Sequence, residues 1–224
     1  MRVVDSFQEL VKTHFSGDVN ALCWPRSLPG NFAEVAEHLT GTDDITSLDE
    51  AMLHTLPLSP EGRTAVGILV EDLERLRGQG LAPVLDCVRR YPRDEDSRAV
   101  PTDVYSFHAD SAPVETDTYL CSYTEAASEG LRNDEAQRYI DQPETRARLL
   151  REFGGEESAD FQDYLQSRGY DLHYAPQPTA RPFDFGLGHL WRIAVDYPGS
   201  PVPPCVHRAP ATRLGRPPRL LLIS

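Results

Sequence analysis

The sequence predicts one α+β domain, mainly β, in which a helical N-terminal part precedes a barrel or sandwich of short strands. Three observations predict it. Apolar residues over positions 1–80 recur near the helical period. From position 81 the apolar runs become short, β-branched or aromatic, and bounded by Pro, Gly, Asp or Ser. Among these runs lies a polar, acidic stretch of helical character, about positions 125–170.

The elements follow in chain order. "DSFQELVKTHF" places Phe7, Leu10, Val11 and Phe15 near helical spacing. "ALCWP" is a short apolar strand ended by Pro25. "NFAEVAEHLTG" is a helix that starts at a capping Asn31 and stops at Gly41. "SPEGRTAVGILVEDLERLRGQG" lines up Val66, Leu69, Val70, Leu73 and Leu76 on one face before its closing glycines. "APVLDCVRRYP" then shifts toward loose alternation. "TDVYSFHAD", "TDTYLCSY", "HLWRIAVDY", "PPCVHRA" and "PRLLLIS" read as strands of positions 81–224. The 125–170 stretch reads as a helical insertion over one face, either a lid or a surface decoration. With no internal repeat and no disordered linker, positions 1–224 read as a single domain.

Composition excludes several function classes. The 224 residues carry a net charge of −13, whereas a binder of nucleic-acid polymers needs a basic stripe. Apolar runs such as "RLLLIS" are far too short to span a bilayer. "MRVVDSFQEL" meets an acid at Asp5 and lacks the continuous apolar core of a signal peptide, so a cytoplasmic location is expected. Cys23, Cys87, Cys121 and Cys205 lie far apart with no CxxC pair, which fits reduced thiols better than a zinc knuckle or a redox dithiol. Positive charge is nevertheless concentrated after Cys205, where Arg208, Arg213, Arg216 and Arg219 occur without an acid. On an acidic protein such a reversal suits an anionic small molecule, with Arg208 and Arg213 as candidate substrate contacts.

The chemistry starts from His108 and Asp110. Seven His and 35 acidic residues yield about one His-x-acid triplet by chance, so the pair needs partners. Residues i and i+2 of a strand share a face, and two imidazoles with one carboxylate form the facial set that holds a divalent transition metal for oxygen chemistry. A third ligand has to come from a distant strand. His14, His38 and His54 fall in helical segments, and His173 lies in or near the insertion. His189 opens "HLWRIAVDY" and stays an alternative, but His207 in "PPCVHRAP" is preferred. Among the aromatics, Tyr119 is the one expected to turn toward substrate.

Arg219 stands twelve residues after His207. His-x-Asp, a second His roughly a hundred residues later and an Arg shortly after it resemble the iron(II)/2-oxoglutarate oxygenases of the cupin superfamily. The chain also resembles a bacterial family of unknown function with that core, through Trp24, Arg26 and Leu28, the "FHAD" strand, "VHR" and the closing "RLLL". The resemblance implies a double-stranded β-helix (cupin or jelly-roll) barrel. It implies Fe(II) held by His108, Asp110 and His207, O2 as co-substrate, and 2-oxoglutarate paired through its distal carboxylate with Arg219. Arg213 or Arg216 could take that last role, and some relatives dispense with 2-oxoglutarate altogether, including iron enzymes of nucleoside-antibiotic biosynthesis.

The expected function is an Fe(II)- and O2-dependent oxidation of a small polar metabolite, such as a natural-product intermediate. Two alternatives stay open: a cupin that binds a metal or ligand without catalysis, and a zinc hydrolase built on the same ligands.

Overall fold

A computed structural model describes residues 1–39, 41, 43–94, 98–211 and 217–224. The helical N-terminal part comprises α1 (Phe7–Lys12), α2 (Phe32–His38), α3 (Glu50–Thr55) and α4 (Pro60–Arg77), interleaved with strands β1 (Arg2–Val3), β2 (Ala21–Trp24) and β3 (Ile45–Leu48). Side-chain caps start all four helices: Ser6, Asn31, Asp49 and Ser59 each accept a hydrogen bond from the backbone N–H three residues on. Pro60 occupies the first turn of α4, where its missing N–H costs nothing.

Strands β4 (Val84–Val88), β5 (Phe107–His108), β6 (Asp117–Ser122), β7 (Glu129–Leu131) and β8 (Ala136–Arg138) follow. Helices α5 (Pro143–Phe153) and α6 (Ala159–Ser167) come next, then β9 (His173–Pro176), β10 (Phe183–Asp184), β11 (Leu190–Ala194), β12 (Val206–Arg208) and β13 (Arg219–Ile223). The strands form two curled sheets, antiparallel except for the β1–β2 pair. The larger has the order β1-β2-β11-β6-β13-β4-β3, and the smaller β10-β7-β12-β5-β9-β8.

Strand alternation sorts the side chains of the larger sheet into two cores. Leu120, Trp191, Ile193 and Leu221 meet Phe185 and Cys205 in one buried cluster between the sheets. Tyr119, Cys121, Tyr123, Leu220 and Leu222 point the other way and pack on Val66, Leu69 and Leu73 of α4. Arg219 therefore shares the inner face with Leu221, while Leu220 and Leu222 anchor the helical layer.

A buried polar hub fixes α4 to that layer. Asp72 is fully enclosed and accepts hydrogen bonds from Arg26 Nη1 (2.6 Å), Arg75 Nη1 (2.8 Å) and the Tyr123 hydroxyl (2.7 Å). Arg26 also donates through Nε to the Gly188 carbonyl at 2.8 Å and lies 4.9 Å from the Trp24 ring centre. One carboxylate thus connects the end of β2, α4, β6 and the turn before β11.

The structure departs from the sequence-based expectation in three places. Helices hold more of the described chain than strands, so the fold is mixed instead of mainly β. The segment expected as a helical insertion over 125–170 begins with β7 and β8, two members of the smaller sheet, and only α5 and α6 are α-helices. Short polar strands such as "AQR" lack the apolar alternation that a sequence reading detects. Thirdly, the run "TDVYSFHAD" contributes only the two-residue β5. Asp103 Oδ1 accepts from the backbone N–H groups of Tyr105 and Ser106, and this turn competes with strand pairing.

Helices α5 and α6 carry a small core of their own, in which Leu149, Phe161 and Leu165 pack with Val100, Ile140 and Tyr170. The segment is tied to the smaller sheet where Ala109 N donates to the Leu172 carbonyl at 2.9 Å.

The hub yields an expected outcome. Asp72→Ala leaves Arg26 charged and buried without its partner and should destabilise the protein by about 3–5 kcal/mol in urea denaturation. Tyr123→Phe removes one hydrogen bond to a charge and should cost about 1.5–3 kcal/mol. A loss below about 1 kcal/mol for Asp72→Ala would show that the hub does not hold the helical layer.

Candidate metal centre

The smaller sheet sets three histidines in one row. His207 of β12 lies directly opposite His108 of β5, and His108 lies directly opposite His173 of β9. On its other side His207 faces Gly130 of β7. Asp110 follows β5 by two residues, and its carbonyl accepts from Asp196 N at 2.8 Å. A donor atom from each of His108, Asp110 and His207 falls within 4.8 Å of the others. The His108 and His207 rings are 4.6 Å apart between centres, and His207 Nε2 lies 3.9 Å from Asp110 Oδ1.

Backbone carbonyls orient both imidazoles. His108 Nδ1 donates to the Ser106 carbonyl at 2.9 Å, and His207 Nδ1 donates to the Cys205 carbonyl at 3.3 Å. A carbonyl can only accept, so both rings carry their proton on Nδ1 and present Nε2 as a lone pair. Asp110 is oriented in the same way: Thr118 Oγ1 donates to Oδ2 at 2.6 Å, which leaves Oδ1 toward His207. Two imidazole nitrogens and one carboxylate oxygen, each fixed by a hydrogen bond from its far side, are the donor set and outer shell that a divalent transition metal uses. The residues fit such an ion.

Electrostatics agrees with this preparation. Burial, with His207 nearby, pushes His108 down to about 4, so its Nε2 is unprotonated at neutral pH. His207 is only 7% exposed. Beneath it, burial pushes the Cys205 thiol up to about 12, which keeps the sulfur neutral.

An aromatic wall closes one side. A Cβ on Gly130 would meet the Phe183 ring at 2.2 Å and Phe185 at 2.7 Å, so only glycine lets these rings approach the strand beside His207. Phe185 stacks on Trp191 at 4.2 Å between centres, and Trp191 Nε1 donates to the Phe185 carbonyl at 2.6 Å.

Arg219 is buried between the sheets. Its Nη2 donates to Ser122 Oγ (2.7 Å) and Ser128 Oγ (2.8 Å), and its Nη1 to the Tyr91 hydroxyl (3.4 Å). All three partners are neutral hydroxyls, and Nε is buried without any partner among the described residues. Burial pulls this guanidinium down from its ordinary value. Ser128 lies two residues before Gly130, which places it about 7 Å along the strand from the His207 row.

Other candidates from the sequence lie elsewhere. Tyr119 faces the helical layer, on the far side of the larger sheet from the inter-sheet core, near the Arg192 guanidinium. The parity of β6 sends Leu120 and Ser122 inward and Tyr119 outward. Arg208 alternates with His207 and so leaves the inner face; it pairs across the strands with Glu129 at 2.6 Å and covers the Phe107 ring. Arg213 and Arg216 lie outside the described residues. His189 packs against Gly186 in the turn before β11 and does not join the donor set, which His207 completes geometrically.

His173 stays outside the donor set, as its place near the insertion suggested, but its position beside His108 was not foreseen. Its place opposite His108 depends on a pairing between strands 65 positions apart, for which the sequence holds no local signal. Ser122, Ser128 and Tyr91 were missed for the same reason, being ordinary polar residues until the fold gathers them round Arg219.

Among the described residues no helix is long and apolar enough to cross a membrane, and all four cysteines are buried and unpaired. Compared with protein-family models, curated proteins and solved structures, the chain matches none.

The pH dependence follows from His108. Unfolded, it takes up a proton near its ordinary 6.5, whereas the folded protein resists protonation down to about 4. Between these values the unfolded chain binds more protons, so acidification favours unfolding. The stabilisation is complete above pH 6.5 and shrinks toward pH 4. In thermal melts of metal-free protein at constant ionic strength, the midpoint should fall across that window, and His108→Phe should flatten the fall.

Proposed function

We propose that the chain is a mononuclear non-haem iron(II) oxygenase on a cupin-type double-stranded β-helix, acting on a small polar metabolite. The observation that carries this reading is the convergence of His108 Nε2, His207 Nε2 and Asp110 Oδ1, each fixed from behind, on the inner face of the smaller sheet. These three residues would hold the ion. Iron(II) there would supply one-electron chemistry toward dioxygen, which closed-shell side chains lack.

The rest of the site supports a co-substrate with a carboxylate. A guanidinium surrounded by hydroxyls and buried away from any described acid is costly unless an anion joins it. Arg219 keeps its Nε proton and one Nη1 proton for an anion, while Ser122, Ser128 and Tyr91 hold the guanidinium in place. Ser128, which accepts from Arg219, is offset by about 7 Å along the strand from the His207 row, a span comparable to an extended five-carbon dicarboxylate. 2-Oxoglutarate is therefore the favoured anion, with an acidic group of the substrate as the other occupant. Phe183, Phe185 and Trp191 exclude water from the His207 side. The segment carrying α5 and α6 leads through residues 170–172 into β9, and in this reading it serves as a lid.

Anaerobically purified protein should take up close to one iron per chain, and His108→Ala should abolish this uptake. Supplying 2-oxoglutarate, oxygen and an oxidisable substrate should yield succinate and CO2 together with oxidised product, and Arg219→Ala should weaken 2-oxoglutarate binding roughly 30-fold or more by calorimetry. Iron uptake by His108→Ala equal to that of the wild type would overturn the centre. Oxygen consumption with a substrate but without 2-oxoglutarate would instead assign Arg219 to the substrate.

A further inference from the structure

His173 belongs to the same row as His207 and His108 yet stays outside the donor set. Its ring lies 5.8 Å from that of His108 between centres, and the residue is only 9% exposed. One residue orients both rings. The Ser106 carbonyl accepts from His108 Nδ1, and the Ser106 hydroxyl lies 3.1 Å from His173 Nδ1. That hydroxyl also lies 2.6 Å from the Asp103 carbonyl, which can only accept. The Ser106 proton therefore goes to Asp103, and His173 Nδ1–H donates to Ser106 Oγ. Nε2 of His173 is left as a lone pair with no hydrogen-bond partner among the described residues.

His173 is mostly buried, yet its partnerless Nε2 is not among the enclosed polar atoms, so this lone pair remains open to a small molecule on the face that His108 and His207 share. Three adjacent strands present three imidazoles with the same tautomer, two within reach of a cation and one beside them. We infer that His173 is a positioning residue of the site: its Nε2 accepts a hydrogen bond from an O–H or N–H of the small molecule bound on the open side of the metal. The substrate class is thereby narrowed to compounds that carry such a proton close to their metal-binding atom. This inference rests on the metal centre proposed above.

The test uses the full chain loaded with Co(II) and two probes. Acetohydroxamic acid chelates through two oxygens and keeps an N–H; its N-methyl analogue chelates alike but has none. The variant His173→Phe keeps a ring and removes both nitrogens. It should take up Co(II) as the wild type does, bind acetohydroxamic acid roughly three- to tenfold more weakly in the visible d–d spectrum, and bind the N-methyl analogue unchanged. His173→Gln, which retains an acceptor, should recover part of the loss. Equal weakening toward both probes, or none, would overturn the inference. So would loss of Co(II) uptake in His173→Phe, which would make His173 a ligand. Wild-type protein that takes up no Co(II) would overturn the metal centre itself, and this inference with it.

Discussion

The candidate site depends on how a strand of two residues is held. Strand β5 contributes only Phe107 and His108, yet it is paired on both sides, to β12 and to β9. Alone such a strand has no stability of its own. Between two neighbours its register is fixed, and since a one-residue slip would reverse every side chain, that register decides whether His108 meets His207 at all. Phe107 supplies the lock from the outer face, where it is buried with Leu131 and Val206. Packing on one face of the strand thus positions chemistry on the other.

Two buried guanidiniums show how differently the fold treats charge. Arg26 meets the carboxylate of Asp72 together with a carbonyl, and the group is complete within the protein. Arg219 is enclosed to a similar degree but receives hydroxyls only. Buried cations without an anion are rare because desolvation outweighs neutral hydrogen bonds. The first arrangement joins helices to the larger sheet; for the second we propose an anionic ligand as the missing partner.

Much of this was legible in the sequence, for identifiable reasons. Helix α4 announced itself through five apolar residues at helical spacing and a Ser-Pro start. Strands β6, β11, β12 and β13 were legible because β-branched and aromatic residues clustered between turn residues. His108, Asp110 and His207 could be grouped from residue type and order, whereas Arg219 was added only by the family resemblance. Facing direction was not legible for Tyr119 or Arg208, because parity within a strand has meaning only once its neighbours are known. Strands β7 and β8 were hidden by polar composition, their pairing being imposed by β12, β10 and β9 and not by their own residues. His173 needed tertiary pairing to stand beside His108.

The alternation along β13 has a consequence for how such a chain can change over generations. Leu220 and Leu222 answer to the helical layer, Arg219 and Leu221 to the space between the sheets. Point substitutions can therefore alter the space between the sheets at one set of positions while leaving the scaffold's anchor at the other untouched. Insertion or loss of a single residue within the strand has no such freedom. It would drive the guanidinium into the leucine-rich layer and turn leucines toward the site, so descent along this strand proceeds by exchange of residues and not by change of length.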